Sequence, residues 1–184
     1  MKINFNLLLN NGLRFGAIMG GAQILISIIY YIAGFEFSNL GFVFINFLVM
    51  VGLFFLFLFL SNKHLAKQVD SLNYPEGLVN AIITGIIATI IGAIYSYLFN
   101  AYFDPEYVKE IMQGVISMVE NNPNIPQEQI DKIYEQYDKM TPLSMTIDAL
   151  KQGAIFSVII ALIVSIFTRK KKDIFAEETV VSEN

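Results

Sequence analysis

An uncharged stretch of 27 residues, from Gly77 to Phe103, constrains the fold of this chain more than any other feature. As a helix it would be about 40 Å long, at roughly 1.5 Å per residue, which exceeds the hydrocarbon core of a bilayer. Small residues recur in it every four positions, in one register through Gly85 and another through Gly92. Because small residues let helices approach closely inside a membrane, the stretch predicts a central spanning helix with neighbours on two faces.

Three further apolar blocks lie at about residues 12–34, 41–60 and 143–168. Apolar residues make up 55% of the chain and charged residues 15%, and the mean hydropathy of +0.56 exceeds that of ordinary globular proteins. With the central stretch at 77–103, these blocks predict an all-α membrane protein built as a four-transmembrane-helix bundle. We therefore interpret residues 1–184 as a single membrane domain.

Small residues at four-residue spacing predict the faces on which the spans pack. The predicted packing positions are Gly12, Gly16, Gly20, Gly85, Gly92, Gly153, Ser157 and Ala161. The spans also contain uncharged polar side chains, which need hydrogen-bond partners inside a bilayer. These are Gln23, Asn46, Asn80, Thr84 and Asn100. Bonds between helices are the first interpretation of these polar residues, and a polar cavity or pore is the second.

The largest segment between spans, residues 104–141, carries two apolar stripes at helical spacing, separated by the breaker sequence at 121–126. Asp104 and Pro105 form a junction typical of an N-cap and a first helical residue, and Thr141-Pro142 marks the start of the fourth span. The pattern predicts an amphipathic helical hairpin between spans three and four. Neither helix is long enough to be stable alone in water, so the stripes must be buried.

Basic residues are distributed unequally over the two ends of the predicted bundle. Lys2, Arg14, Lys63, Lys67 and residues 169–172 give eight at one end, against four at the other. Since positive charge favours the cytoplasmic side, we expect both termini to be cytoplasmic and the hairpin to be extracytoplasmic. Residues 173–184 have the composition of a disordered acidic tail.

The sequence offers little for catalysis. It has no cysteine and one histidine, which excludes the usual clusters of metal ligands. That histidine, His64, stands between two lysines and is interpreted as a solvated interfacial residue. Span interiors contain no acidic or basic residue apart from Arg14, which disfavours ion-coupled transport. We expect no catalytic residue, no cofactor and no metal.

Three functional classes remain open. The first is a non-enzymatic envelope protein that engages a partner through its outer hairpin or its small-residue helix faces. The alternative is a small transporter or channel subunit that acts as an oligomer, and an enzyme is the third class. The expected partners are the lipid bilayer and either another protein or a second copy of this chain. No basic patch suggests nucleic acid.

Three segments resemble those of the domain-of-unknown-function 4199 family, which comprises small bacterial membrane proteins found mainly in Bacteroidetes. They are the glycine-rich span that follows Asn11-Gly12-Leu13-Arg14, the junction at 100–107, and the last span with its basic end at 169–172. The resemblance covers about residues 8 to 172. It implies the four-span layout and a bacterial inner, or cytoplasmic, membrane. It implies no activity, because that family has no assigned catalytic residues.

Overall fold

The computed structural model describes residues 4–34, 40–123 and 125–170, so the predicted disordered tail at 173–184 lies outside the described residues. Helices account for most of this part of the chain. They are α1 (Phe5–Ile32), α2 (Leu40–Lys67), α3 (Tyr74–Leu98) continued by a π-helix (Phe99–Phe103), α4 (Tyr107–Glu120), α5 (Gln127–Asp138) and α6 (Pro142–Phe167).

Four of these helices are long and apolar enough to cross a bilayer: α1, α2, α3 with its π-helical end, and α6. The shortest has 26 residues, above the roughly 20 that a span needs. The predicted all-α fold with four membrane-spanning helices is therefore confirmed. The protein is a multi-pass membrane protein.

The starts of α3 and α6 are set by local capping. The Asn73 amide donates to Glu76 Oε2 at 3.0 Å, and Pro75 occupies the first turn of α3. At α6, the Ser144 amide donates to Thr141 Oγ1 at 3.1 Å, and the Thr141 amide donates to Ser144 Oγ at 2.9 Å. Reciprocal bonds of this kind satisfy amides that a helix start leaves open, so both spans begin at defined residues.

Helix α3 lies at the centre of the bundle, packed along much of its length on α1 and α6 and also touching α2. The contact with α1 depends on three glycines. A Cβ atom at Gly12, Gly16 or Gly20 would lie 2.5 to 2.8 Å from isoleucine side chains of α3, closer than real Cβ atoms approach. Only glycine therefore permits this separation of the two helices.

The contact between α3 and α6 also depends on glycine, with one glycine on each helix. A Cβ atom at Gly85 of α3 would lie 2.5 Å from Ser157 Oγ, and one at Gly153 of α6 would collide with Thr89. Ser157 and Ala161 are fully buried. Gly92 differs, because a Cβ atom there would meet only Gln23 Oε1, at an ordinary 3.4 Å.

Helix α2 covers one side of this core with Phe54 and Leu58, which pack with Met19 and Ala161. Three of its other phenylalanines, Phe44, Phe47 and Phe55, are exposed, with Phe44 at 62%. Since the helix spans a membrane, this exposed face is in contact with lipid.

Helices α4 and α5 form the predicted hairpin and contact each other. Ile116 of α4 and Ile130 of α5 are buried, and the Tyr134 hydroxyl donates to Glu120 across the pair. One detail of the prediction is wrong: Pro105 is not the first helical residue, because residues 105 and 106 form a turn and α4 begins at Tyr107. Asp104 still caps the start of α4, because its Oδ1 accepts the Tyr107 amide hydrogen at 3.1 Å.

Candidate functional site

Polar side chains gather at two places in the bundle. The first, which we name the buried polar cluster, lies where all four spanning helices meet. Its members are Asn11 of α1, Ser61, Asn62 and His64 of α2, Asn80 and Thr84 of α3, and Thr168 directly after α6. All except His64 are buried, with at most 5% of each residue exposed.

Asparagine amides connect the helices of this cluster. Asn11 Nδ2 donates to Asn80 Oδ1 at 2.9 Å and also lies 3.0 Å from both the carbonyl and the hydroxyl oxygen of Ser61. Asn80 Nδ2 donates to Ser61 Oγ at 2.9 Å and to Asn62 Oδ1 at 2.8 Å. Asn62 Nδ2 then donates to Thr168 Oγ1 at 2.9 Å, which brings α6 into the network.

The direction of the hydroxyl bonds follows from these contacts. Thr84 donates its hydrogen to the Asn80 carbonyl at 2.9 Å, because a carbonyl oxygen can only accept. Ser61 must therefore be the donor in its 2.8 Å contact with Thr84, which leaves Ser61 Oγ free to accept from Asn11 and Asn80. The side chains in this part of the cluster make their hydrogen bonds within the protein, without a ligand; they are Asn11, Ser61, Asn80 and Thr84. The cluster therefore fixes the positions of the helices and offers no open binding site.

His64 belongs to this network, which corrects its interpretation as a solvated residue. It is half-buried, and its Nδ1 lies 2.8 Å from Asn11 Oδ1. Asn11 turns its nitrogen towards the Ser61 carbonyl, so its oxygen faces the ring, and Gln68 Nε2 lies 3.2 Å from the same ring nitrogen.

The second polar place, the polar cavity, has a volume of about 260 Å³ and lies between α1, the end of α3 and the start of α4. Its polar lining consists of Gln23, Ser27, Tyr95, Ser96, Asn100 and Tyr107. Asn100 donates to Ser96 Oγ at 3.1 Å. The Tyr95 hydroxyl is buried and has no hydrogen-bond partner among the described residues.

The five polar residues predicted from the sequence lie in three separate places. Asn80 and Thr84 belong to the buried polar cluster, whereas Gln23 and Asn100 line the polar cavity. Asn46 belongs to neither, and its side-chain oxygen is buried with no partner in the described part of the chain. The five therefore do not converge on a single cavity.

Asp104 connects α1 and the end of α3 to the hairpin. The Asp104 amide donates to the Phe99 carbonyl at 2.9 Å, which closes the π-helix, and Asp104 Oδ2 accepts the Tyr31 hydroxyl at 2.9 Å. The Tyr31 ring packs edge-on against Phe99 and Tyr107, with centroids 5.1 and 5.2 Å away. Asp104 thus joins α1 and the start of α4 through its carboxylate and the end of α3 through its backbone amide. Single π-helical turns are frequent at functional sites.

Two more cavities adjoin the polar cavity. The hairpin cavity, of about 290 Å³, shares Asn100 and Met145 with it and reaches Lys109 and Asp138 of the hairpin. The apolar groove, of about 510 Å³, shares Tyr95 and Phe99 with the polar cavity. It opens outward between α1 and α3, beside residues that are strongly exposed. These are Ile32, Leu98, Tyr102 and Phe103.

Several members of the buried polar cluster escaped sequence reasoning. Asn11 precedes the glycine-rich first span, and Ser61 and Asn62 follow the apolar block at 41–60, so no apolar pattern indicates that they are buried. Asn80 and Thr84, four residues apart on α3, were the available signal that a second polar surface must face them. Among the described residues, no group of histidine and carboxylate side chains could hold a metal.

Comparison with known proteins gives one match. The model of the family described as protein of unknown function (DUF4199) matches residues 14–170. No curated protein and no solved structure matches the chain. The family match extends from the first span to the basic end of the last one and includes the hairpin. This chain therefore belongs to the DUF4199 family of proteins of unknown function.

Proposed function

We propose that this integral membrane protein is not an enzyme and that it binds a protein partner through the surface of its α4–α5 hairpin. The supporting observation is that the hairpin is anchored at both ends while most of its surface is uncovered. Asp104 bonds it to α1, and the Thr141 cap begins α6 immediately after it. Every residue of α5 except Ile130, Ile133 and Tyr137 is exposed.

The small-residue faces are less suited to a partner, because the bundle itself fills them. Gly12, Gly16 and Gly20 are occupied by isoleucines of α3, and Gly85 and Gly153 by residues of α6 and α3. A partner that used these faces would have to displace a helix. The same reasoning applies to a homo-oligomer formed through glycines.

Charge indicates the chemistry of the partner. Residues 104–141 contain eight acidic residues against three lysines. Each of these lysines is within 2.8 Å of a glutamate three or four residues away. Exposed acids such as Glu110 and Asp131 are then left without a cationic neighbour among these pairs. We expect a basic surface on the partner, since complementary charge speeds association and selects partners.

The proposed location is the inner membrane of a bacterium, with both termini in the cytoplasm and the hairpin outside. The eight-to-four excess of basic residues supports this orientation. Lys170 donates to the carbonyls of Ala66 and Val69, so the basic ends of α2 and α6 adjoin. Their charge is therefore concentrated at the end of the bundle that carries the buried polar cluster.

A small transporter or channel subunit is the second candidate, and the polar cavity is the observation that favours it. A solute path would also have to pass the buried polar cluster, where Asn11, Ser61 and Asn80 bond directly to one another. Flux of small solutes into proteoliposomes, measured for the wild type and for Gln23→Leu, tests this candidate. Loss of a wild-type flux in the variant would favour transport over partner binding.

Site-specific photocrosslinking in native membranes tests the hairpin proposal. A crosslinker at Gln129, which is exposed on α5, should give a discrete adduct, whereas one at Gly52 on the exposed side of α2 should not. Replacing Glu110 and Asp131 by lysine should abolish the Gln129 adduct. Replacement of residues 106–139 by a flexible Gly/Ser linker should leave the spans inserted and fail to complement a deletion strain. Full complementation by that variant would refute the proposal.

A further inference from the structure

We propose that the apolar groove and the polar cavity together form a binding site for one amphiphile with an acyl chain and an uncharged, hydrogen-bonding head. The chain would lie in the groove between Ile28 and Leu98, and the head would enter the polar cavity. This site is separate from the hairpin surface, and the inference does not depend on the partner proposed above.

The shape of the two spaces supports this assignment. The groove of about 510 Å³ opens towards the surrounding lipid, where Ile32 is 78% exposed and Phe103 is 71% exposed. The polar cavity of about 260 Å³ adjoins it, since Tyr95 and Phe99 line both spaces. Ligand sites in proteins have volumes of about 300–1,000 Å³ and are mainly apolar with a few placed polar groups. An ordinary lipid-facing groove would have no polar chamber adjoining it.

Tyr95 supplies the chemical argument. Tyr95 lines both the groove and the cavity, and its hydroxyl is buried with no partner among the described residues. A buried polar group without a hydrogen bond is costly, and more so at membrane depth, where lipid tails cannot supply one. A hydroxyl or ester oxygen on an amphiphile that entered through the groove would supply this bond.

The other polar groups define the head of the ligand. Gln23, Ser27, Ser96 and Asn100 are neutral amides and hydroxyls, and the polar cavity has no acidic or basic residue in its lining. Charged groups begin only in the hairpin cavity, at Lys109 and Asp138. A charged head in the polar cavity would lack an opposite charge, which is strongly unfavourable away from water. The head is therefore uncharged, with several donors and acceptors.

Gly92 maintains the space for that head. It lines the polar cavity, and a Cβ atom at this position would meet only Gln23 Oε1, at 3.4 Å. Unlike Gly16 and Gly85, it is not needed for the contact between helices. A larger side chain at residue 92 would fill the cavity without separating α1 from α3.

Native mass spectrometry of the purified protein with 1-monooleoylglycerol tests this proposal. We expect one saturable adduct in the wild type. Tyr95→Phe should weaken it by about fivefold to tenfold, the usual effect of one neutral hydrogen bond, and Gly92→Leu should abolish it. Tyr97→Phe is the matched control, because Tyr97 lines neither space, and it should bind as the wild type does.

Three outcomes would overturn the proposal. Adducts that accumulate without saturation, or that are equal in all four proteins, would show that only surface lipid is bound and that the polar cavity holds water. Tighter binding of 1-oleoyl-lysophosphatidylglycerol, which has the same chain and an anionic head, would contradict the uncharged head. Should Gly92→Leu fail to fold, Tyr95→Phe decides alone, because it removes only the hydroxyl.

Discussion

Asn11 and Asn80 bond directly to each other across 69 positions of sequence, with Asn11 Nδ2 located 2.9 Å from Asn80 Oδ1. Both amides also bond to Ser61, so this pair fixes α1, α2 and α3 relative to one another. The bonds are between neutral groups in a buried environment, where an unpaired partner is costly. The buried polar cluster therefore specifies how the helices are placed, in addition to the packing of their small residues.

Removal of one member of this pair should destabilise the bundle. Asn80→Ala leaves Asn11, Ser61 and Asn62 each without one bond, so we expect a loss of about 1–3 kcal/mol in the free energy of unfolding. Thermal unfolding in detergent measures it. Asn46→Ala is the control: its buried oxygen has no partner in the described residues, so stability should be unchanged or higher. Equal effects of the two substitutions would contradict this account of the cluster.

Two adjacent glycines of α1 provide a matched test of helix packing. A Cβ atom at Gly20 would lie 2.8 Å from Ile91 of α3, whereas one at Gly21 would have no other atom within 4 Å. Gly20→Leu should therefore lower stability by about 1–3 kcal/mol, and Gly21→Leu should not. Gly85→Leu and Gly153→Leu should behave as Gly20→Leu does. Unaltered melting of all these variants would show that α1, α3 and α6 are not in close contact.

The hairpin anchor at Asp104 should control the mobility of α4. Asp104→Ala removes the bonds to the Tyr31 hydroxyl and the Tyr107 amide, so amide hydrogen exchange in α4 should become faster. Tyr31→Phe removes only the first bond and should have a smaller effect. Tyr102→Phe serves as the control, since Tyr102 is 75% exposed. If exchange in α4 were the same in all three variants, the hairpin would be held by other contacts.

The Tyr134–Glu120 bond should appear in a pH titration. The pKa of Tyr134 is raised above its ordinary value, first because its hydroxyl donates to the Glu120 carboxylate. The folded state favours the neutral phenol, so this contribution to stability is present below a pH of about 10 and is lost as the pH rises through the raised pKa. The near-ultraviolet absorbance of the wild type, compared with that of Tyr134→Phe, measures the titration of the Tyr134 hydroxyl. Glu120→Gln should lower the midpoint, and an unshifted midpoint would show that the bond is absent.

The orientation can be tested directly because the chain has no cysteine. A cysteine introduced at Gln129 should react with a membrane-impermeant thiol reagent on intact cells, whereas one at Asn73 should react only after lysis. Both positions are exposed in the structure, so accessibility within the protein does not explain a difference. Labelling of Asn73→Cys alone on intact cells would reverse the proposed topology.

The number of spans and the small-residue stripes could be predicted from the sequence because both are local properties. A span needs only enough consecutive apolar residues to cover the bilayer, and a stripe needs only a period of four on one helix. The stretch from Gly77 to Phe103 meets both conditions. The same holds for the hairpin, whose stripes and breaker lie within one segment of the chain.

Only the tertiary structure decided which of these surfaces meet. Gly92 and Gly85 belong to similar stripes on α3, yet a Cβ at Gly85 would collide with Ser157 while Gly92 faces the polar cavity. The difference depends on the rotation and depth of each neighbouring helix, which no local pattern contains. Asn62 bonds to Thr168 across 106 positions for the same reason. Hydrogen bonds between helices form only between side chains that packing has already brought to the same level, so they are fixed by the assembled bundle.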